Sequence, residues 1–427
     1  METPDVTLNV LQQVEPDGST ALIVDQLQAA LPLFAARLPR GLKDDHIDAI
    51  LLEPAAFREY VREVMGRDPG NLGAFCLSGG NGRDARLFVQ LPVRSGNADL
   101  DALRNHRVRF EAVHEMGHAW LGGTHASMYM GPSEEGVCNW IAAEAVGGSP
   151  DHLDWMSNAL VVDTVFDAAE RRKPGAPEST TAPARISKWA HTRDGLAYML
   201  QALYVDWLHW SVDRDDAVLR AELDDFLGKT LVALSGSRLR RALKDPQGPP
   251  FDSYIDRIAA ADQATLETWM ASTHRGSPAP VVDYSVTASS MIRQSPGRWL
   301  VDPWRIAMRV MVGPAGTWSV APVRVHPEIT LSYPGGRMVV EAARREETRH
   351  VDITLGRSAT NGAGWSVVRL SVRDGRFECT GDGEVLFEGE PAALSEGTNW
   401  SVNLLVEDRD DWPADAYMVL EFPPGTG

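Results

Sequence analysis

Cysteine is scarce in this chain of 427 residues, which contains only Cys76, Cys138 and Cys379. The three are far apart, odd in number and form no CxxC pair, so we interpret them as reduced thiols of a cytoplasmic protein. The N-terminus lacks the apolar core with basic flanks that marks a secretory signal. No run of about 18 apolar residues is present, so no membrane span is predicted.

Positive charge is also in deficit. The formal net charge is −18, which argues against nucleic acid and anionic membrane surfaces as the main partners. Lysine is rare beside arginine, as in proteins from GC-rich bacterial genomes. The glycine run at 79–82 lacks the GK[ST] ending of a P-loop, so we predict a hairpin-like loop there. No repeat of fixed period is found.

The most informative motif is His114-Glu115-Met116-Gly117-His118, an HExxH. A helix is predicted from about Leu103 to Leu121, ended by two glycines. Residues at positions i and i+4 share one helix face, so both imidazoles can bind one metal ion. Glu115 projects beside that ion, where its carboxylate can take the proton of a metal-bound water.

A second helix is predicted shortly after the first. Pro132 and Ser133 precede it, and Ser133 is the predicted N-cap. Glu134 and Glu135 fall in its first turn. A carboxylate in that turn is well placed to be a third metal ligand, and the spacing alone does not choose between the two.

HEMGHAWL, a short loop and then EEGVCNWIA resemble the gluzincin metallopeptidases, most closely the DA1-type peptidase domain of plants. The resemblance is confined to this stretch, and the regulatory modules of the plant proteins have no counterpart here. It implies a zinc peptidase with His114, His118 and Glu135 as ligands and Glu115 as general base. Glu134 then takes the position that flanks the ligand, in the second shell of the metal.

Two more roles follow from the same resemblance. Residues 198–208 resemble the YxxGxxFVxYL helix of several gluzincins, in which the first tyrosine hydrogen-bonds the developing oxyanion. That role falls on Tyr198, and the alternative is an ordinary core helix with an aromatic stripe. His191 and His209 are rivals for the role. Asn139, one turn after Glu135, is expected to orient His114 through its second ring nitrogen, where some gluzincins have an acid.

The predicted fold class is α+β. Residues 1–275 are expected to form a zincin-like metallopeptidase domain, with an α/β lobe to about residue 122 and a helical lobe over 133–275. Strands are predicted at 47–52, 72–77 and 86–91, and the last, RLFVQL, is proposed as the edge strand beside the cleft.

Residues 276–282 are predicted to be a linker, and residues 283–427 an all-β sandwich that recognises a substrate or another protein. Short β-branched segments separated by turns carry this prediction: 305–312, 328–333, 337–341, 351–355, 367–372 and 401–406.

The predicted function is hydrolysis of peptide bonds in an intracellular protein, by a metal-activated water with Glu115 as general base. The expected cofactor is one Zn²⁺ per chain. The expected partners are a protein or peptide substrate and a protein that binds the C-terminal β-domain. One alternative is a non-catalytic zincin-like scaffold whose β-domain binds a partner. A weaker one is a peptidase that trims single residues, for which no motif supplies an anchor.

Overall fold

The computed structural model of the protein describes part of the chain. The described residues are 6–12, 18–66, 72–79, 83–122, 131–146, 202, 205–233, 268–269, 284–287, 291–295, 298–302, 307–312, 328–332, 339–345, 350–356, 367–373, 376–389, 400–406 and 414–421. They form two compact units. The first comprises most of the chain before Gly276, and the second comprises the chain from Gly276 onward together with Val93–Arg104. Helices and strands are mixed, so the predicted α+β class is confirmed.

A four-stranded mixed sheet lies in the first unit. Its strands are β1 (Thr7–Gln12), β2 (His46–Leu52), β3 (Ala74–Gly79) and β4 (Arg83–Gln90). They are ordered β1-β2-β4-β3, with β1, β2 and β4 parallel and β3 antiparallel to β4. Helix α2 (Pro54–Met65) packs on one face, where Phe57, Phe75 and Phe88 are buried together. The three strands predicted before the metal motif are therefore confirmed.

The prediction that RLFVQL is an edge strand is wrong. β4 contains most of this segment and pairs with β2 on one side and with β3 on the other. Leu87, Phe88 and Val89 are consecutive and all buried. Burial on both faces is typical of an inner strand, so the segment's apolar run argued against an edge position. Among the described strands, β1 and β3 are the edges of this sheet.

Helix α1 (Gly18–Arg37) is the one helix in the described ranges that is long and apolar enough to cross a membrane by length and composition. Its contacts are those of a core helix. Ile23, Leu27 and Phe34 are at most 1% exposed, and Gln26 donates a hydrogen bond to the carbonyl of Ala145. Length and hydropathy are therefore weak grounds for a membrane role, and the expected absence of a span stays a prediction.

Helix α3 (Ala98–Leu121) contains the HExxH motif and begins earlier than the sequence predicts. The side-chain oxygen of Asn97 accepts hydrogen bonds from the backbone N–H groups of Asp99 and Leu100, which makes Asn97 the N-cap. At the other end, the N–H groups of Gly41 and Leu42 both donate to the carbonyl of Trp120. These contacts fix the helix at both ends.

Glycine is required at this second contact. A Cβ on Gly41 would lie 2.0 Å from the carbonyl oxygen of Leu121. Gly122, whose φ is +96°, ends the helix in the left-handed region that favours glycine. The backbone of the loop at residues 40–42 can therefore reach the end of the metal-motif helix only because neither residue has a side chain.

Helix α4 (Gly131–Ala145) follows α3 among the described elements. It begins two residues before Ser133, so the prediction that Ser133 is its N-cap is wrong. Near its C-terminus Glu144 forms an ion pair with Arg37 of α1, at 2.9 Å. Arg37 also binds Asp216, the first residue of α5 (Asp216–Ala233), at 2.7 Å. A single arginine therefore links α1, α4 and α5.

The second unit contains strands β5 to β16. The six strands predicted there are confirmed: β8 (Ala307–Val312), β9 (Glu328–Ser332), β10 (Val339–Arg345), β11 (His350–Gly356), β12 (Val367–Arg373) and β15 (Trp400–Val406). Six more were not predicted: β5 (Tyr284–Thr287), β6 (Met291–Ser295), β7 (Arg298–Val301), β13 (Arg376–Gly381), β14 (Glu384–Gly389) and β16 (Met418–Glu421). One sheet has the order β10-β11-β15-β8-β5, and a separate antiparallel sheet has the order β14-β13-β12-β9-β16-β7-β6.

Candidate metal centre

Helix α3 places His114 and His118 one turn apart on the same face. Their Nε2 atoms are 3.2 Å apart, and the two rings meet edge to face with an interplanar angle of 74°. The opposite face of the helix is apolar and anchored, since Val113, Met116 and Trp120 are at most 2% exposed. The helical spacing predicted from the sequence therefore directs both imidazole Nε2 atoms to one point.

Helix α4 supplies the third group. The Glu135 carboxylate lies 3.1 Å from Nε2 of His114 and 3.5 Å from Nε2 of His118. Within the described part of the chain, these three residues form the one group of at least three ligand-type side chains whose donor atoms all lie within 4.8 Å of one another. The group could hold a metal ion.

The donor set fits zinc. A tetrahedral ion with bonds of about 2.0–2.1 Å would separate its ligand atoms by about 3.3 Å. The two Nε2 atoms are 3.2 Å apart, and the two Glu135 oxygens lie at similar distances from them, Oε2 at 3.1 Å from His114 and Oε1 at 3.5 Å from His118. Two ring nitrogens and a carboxylate therefore converge at distances that one such ion could span.

Electrostatics within the cluster of His114, His118 and Glu135 agree with this geometry. Burial alone would raise the pKa of Glu135, but its contacts with His114 and His118 lower that pKa well below the usual range. Burial alone would lower the pKa of His118, but its contacts with Cys138, Glu134 and Glu135 raise it well above the usual value. In this cluster Glu135 therefore favours its negative form and His118 its positive form, as expected of two groups in close contact.

Glu134 contacts the outer side of the cluster. Its Oε1 lies 2.8 Å from Nδ1 of His118, and its side chain is only 6% exposed. The two adjacent acids that the sequence could not separate therefore occupy different positions. Glu135 faces the donor atoms, and Glu134 faces the second nitrogen of one histidine.

Glu115 lies beside the three donor residues without belonging to them. The backbone N–H of Cys76, on edge strand β3, donates a hydrogen bond to the Glu115 carboxylate. Burial raises the pKa of this carboxyl, while the positive charges of His118 and His114 act in the opposite direction. Glu115 is therefore close to the three residues of the candidate metal site but is not one of them.

Helices α3 and α4 approach each other closely at Gly117. A Cβ on Gly117 would lie 2.9 Å from Sγ and 3.3 Å from Cβ of Cys138. Cys138 is buried and in hydrogen-bond contact with His118, and burial raises the pKa of its thiol to about 12. The interior glycine of HEMGH therefore allows α4 to bring its two acids within reach of the histidines.

The three cysteines form no disulfide bond among the described residues. Cys76, Cys138 and Cys379 are all free, as the sequence predicts. Phe75 packs toward α2, so by the alternation of a strand Cys76 faces the other side of the sheet, where Glu115 lies. Sequence reasoning missed the roles of Cys76 and Gly117, although a glycine inside a helix pattern signals close packing.

One predicted contact of the site is wrong. The Nδ1 atom of His114 is buried and makes no hydrogen bond to any part of the chain that the structure describes, so Asn139 does not orient this ring. The two nitrogens of an imidazole point in divergent directions, and it is Nε2 of His114 that faces α4. The ring of Phe110 lies 6.3 Å away, one turn earlier on α3, and packs beside it.

The proposed oxyanion residue and its rivals are only partly described. Tyr198 and His191 lie outside the described residues. His209 is described, and its Nε2 lies 3.1 Å from Asp216, while its ring meets that of Trp140 edge to face. His209 is therefore engaged at the junction of α1, α4 and α5, and none of its described contacts is with the metal cluster.

No protein-family model matches this chain. A comparison with curated proteins also finds no match. Function is therefore inferred from the geometry of the cluster and from the resemblance of its two motifs.

Proposed function

We propose that this protein is a zinc-dependent endopeptidase. The observation that supports it most is the convergence of His114, His118 and Glu135, whose donor atoms all lie within 4.8 Å of one another, with Glu115 beside them. Three protein ligands leave a tetrahedral metal with one open position, which is the arrangement of catalytic rather than structural zinc sites. When bound, zinc would supply a Lewis acid for a peptide carbonyl and would bring the pKa of a coordinated water toward neutrality.

The residues of the chain divide the remaining work. Glu115 accepts a proton at its carboxylate and returns it to the leaving amine, and its partly buried position keeps that carboxylate close to the reacting atoms. The N–H of Cys76 holds the carboxylate in place. Tyr198, which the resemblance assigns to the oxyanion, stays a proposal.

Strand β3 is the place proposed for the substrate. It is antiparallel to β4, stands at the end of the described sheet and carries Cys76 beside Glu115. An extended peptide can pair with an open strand through backbone hydrogen bonds, which bind many side-chain sequences. This mode favours cleavage within a chain over trimming of a terminus, because no anchor for a terminus is identified.

The finer fold and the setting are part of the same proposal. The mixed sheet, α3 and α4 are proposed to form a zincin-like gluzincin domain, and the two sheets of the second unit a β-sandwich that recognises a protein. The free cysteines are consistent with a protein that acts inside the cell. The net charge of −18 is consistent with a protein substrate and not with nucleic acid as the main partner.

Cleavage sites in a cell lysate test this function. The lysate is treated with wild-type protein, with Glu115→Gln or with Glu111→Gln, and new protein N-termini are sequenced by mass spectrometry. Glu111 is one turn earlier on α3, where it pairs with Arg107 at 2.7 Å, so its substitution is the matched control. We expect shared new termini with wild type and the control, and none with Glu115→Gln, although that variant retains zinc.

Zinc-loaded wild-type protein that yields no new termini would contradict the endopeptidase function. It would favour the alternative in which the metal stabilises a scaffold and the second unit binds a partner. New termini that persist with Glu115→Gln would contradict the role of Glu115 as general base.

A further inference from the structure

The two histidines of the metal centre differ in what holds them. Nδ1 of His118 lies 2.8 Å from Oε1 of Glu134. Nδ1 of His114 is buried and forms no hydrogen bond to the described residues. Helix α4 therefore provides two acids with different contacts. Glu135 lies near both rings, and Glu134 contacts only His118 of the two.

The Glu134 carboxylate selects one tautomer of His118. An ionised carboxylate only accepts hydrogen bonds, so Nδ1 must carry the proton that the two atoms share. In a neutral ring this leaves a lone pair on Nε2, the atom that faces Glu135 and His114. Glu134 is 4% exposed, so water does little to weaken this interaction.

Cys138 holds the same ring from the next turn. Glu134 and Cys138 are four residues apart on α4 and so share one face of the helix. The Cys138 thiol is in hydrogen-bond contact with His118. It also lies against Gly117, which precedes His118 on α3. The EEGVC motif thus places three side chains around His118.

We propose that Glu134 and Cys138 are positioning residues that hold His118 with its Nε2 atom facing the metal site. This inference rests on the proposed zinc function. Neither side chain belongs to the donor group, and both act through His118. Groups that orient a ligating histidine typically change metal affinity by about 10–100-fold when they are removed.

Zinc affinity tests the proposal, measured on the full chain by competition with a chelator of known affinity. The variants are Glu134→Ala, Glu134→Gln and Cys138→Ala. Glu144→Gln is the matched control, because it also neutralises an ion-paired glutamate of α4 but one that contacts Arg37. We expect Glu134→Ala to lower zinc affinity by about 10–100-fold and the control to leave it within about threefold.

The other two variants separate the contacts. Glu134→Gln keeps a carbonyl oxygen that can accept from Nδ1–H, so its affinity should fall between those of wild type and Glu134→Ala. Cys138→Ala should lower the affinity less than Glu134→Ala, because a thiol is a weak hydrogen-bonding group. If Glu134→Ala does not fold, Glu134→Gln and the control provide the comparison.

Ring ¹⁵N shifts of the zinc-loaded protein provide a readout that general loss of stability would not change. We expect Nδ1–H of His118 to show the shift of a hydrogen-bonded donor in wild type and the control, and to lose that shift in Glu134→Ala. Folded Glu134→Ala protein with the zinc affinity and the His118 Nδ1 shift of the control would overturn the positioning role. Wild-type protein that binds no zinc would instead overturn the proposed function.

Discussion

At the scale of single residues, burial decides how Asp206 behaves. This aspartate is 4% exposed and accepts a hydrogen bond from the indole N–H of Trp269, at 3.0 Å. Burial raises the pKa of its carboxyl, although the Trp269 contact acts in the opposite direction. A raised pKa means that the folded protein binds the proton more tightly than the unfolded chain does. The contribution of Asp206 to stability therefore falls as the pH rises above the ordinary aspartate range.

Asp206→Asn should remove this pH dependence. The amide oxygen can still accept from Trp269, but the side chain no longer ionises inside the protein. We expect the variant to have a higher melting temperature than wild type at pH 7, with a difference that shrinks at about pH 4, close to the usual aspartate pKa. A variant that is destabilised equally at both pH values would show that the carboxylate is needed for its hydrogen bonds instead.

At the scale of secondary-structure elements, the contact between α3 and α4 decides whether the residues of the candidate metal centre can come together. In an exposed helix, replacing glycine by alanine would stabilise by about 1 kcal/mol. At Gly117 a Cβ would lie 2.9 Å from Sγ of Cys138. We expect Gly117→Ala to destabilise by about 1–3 kcal/mol through overpacking and to weaken zinc binding, because α4 is displaced with Glu135 on it.

The double variant Gly117→Ala/Cys138→Ala checks the cause. Removing Sγ relieves the shorter contact, so the two substitutions should be less destabilising together than the sum of their separate effects, as measured by urea denaturation. Additive effects would place the origin of the destabilisation elsewhere.

Sequence patterns captured the local parts of this site and missed the contacts across elements. The four-residue spacing of His114 and His118 predicts their shared face because helical geometry is local. The choice of Glu135 over Glu134 depended on a motif resemblance, since both fall in one helical turn. The contact expected of Asn139 is absent because ring orientation depends on what surrounds His114, which spacing does not encode. RLFVQL was placed at the edge, although its consecutive apolar residues fit an inner strand.

At the scale of the whole molecule, the two units are not consecutive pieces of sequence. Val93–Arg104 groups with the second unit, although it lies before the metal motif in the chain. Within that unit, Arg104 forms a two-bond ion pair with Asp302, at 3.0 and 3.1 Å, and also donates to the carbonyls of Val93 and Ala414. The β-branched segments after residue 283 do not predict that Val93–Arg104 belongs to the same unit.

Asp302→Ala should destabilise the second unit strongly. Both partners of the pair are at most 5% exposed, so the variant leaves the Arg104 charge buried without its carboxylate. The expected loss is about 3–5 kcal/mol, measured by chemical denaturation. Glu421→Ala is the control in the same unit, because Glu421 pairs with Arg298 at the surface. A surface pair is worth about 0–1 kcal/mol, so equal losses in the two variants would contradict this view of Arg104.

The central claim is that side chains from α3 and α4 together bind one catalytic metal ion. The most direct test is the zinc content of purified protein after equilibrium dialysis against buffered zinc, for wild type, Glu135→Ala and Glu115→Gln. We predict about one zinc per chain for wild type and Glu115→Gln, and a large loss for Glu135→Ala. Wild-type protein without zinc, or Glu135→Ala protein that binds zinc as tightly as wild type, would contradict the account.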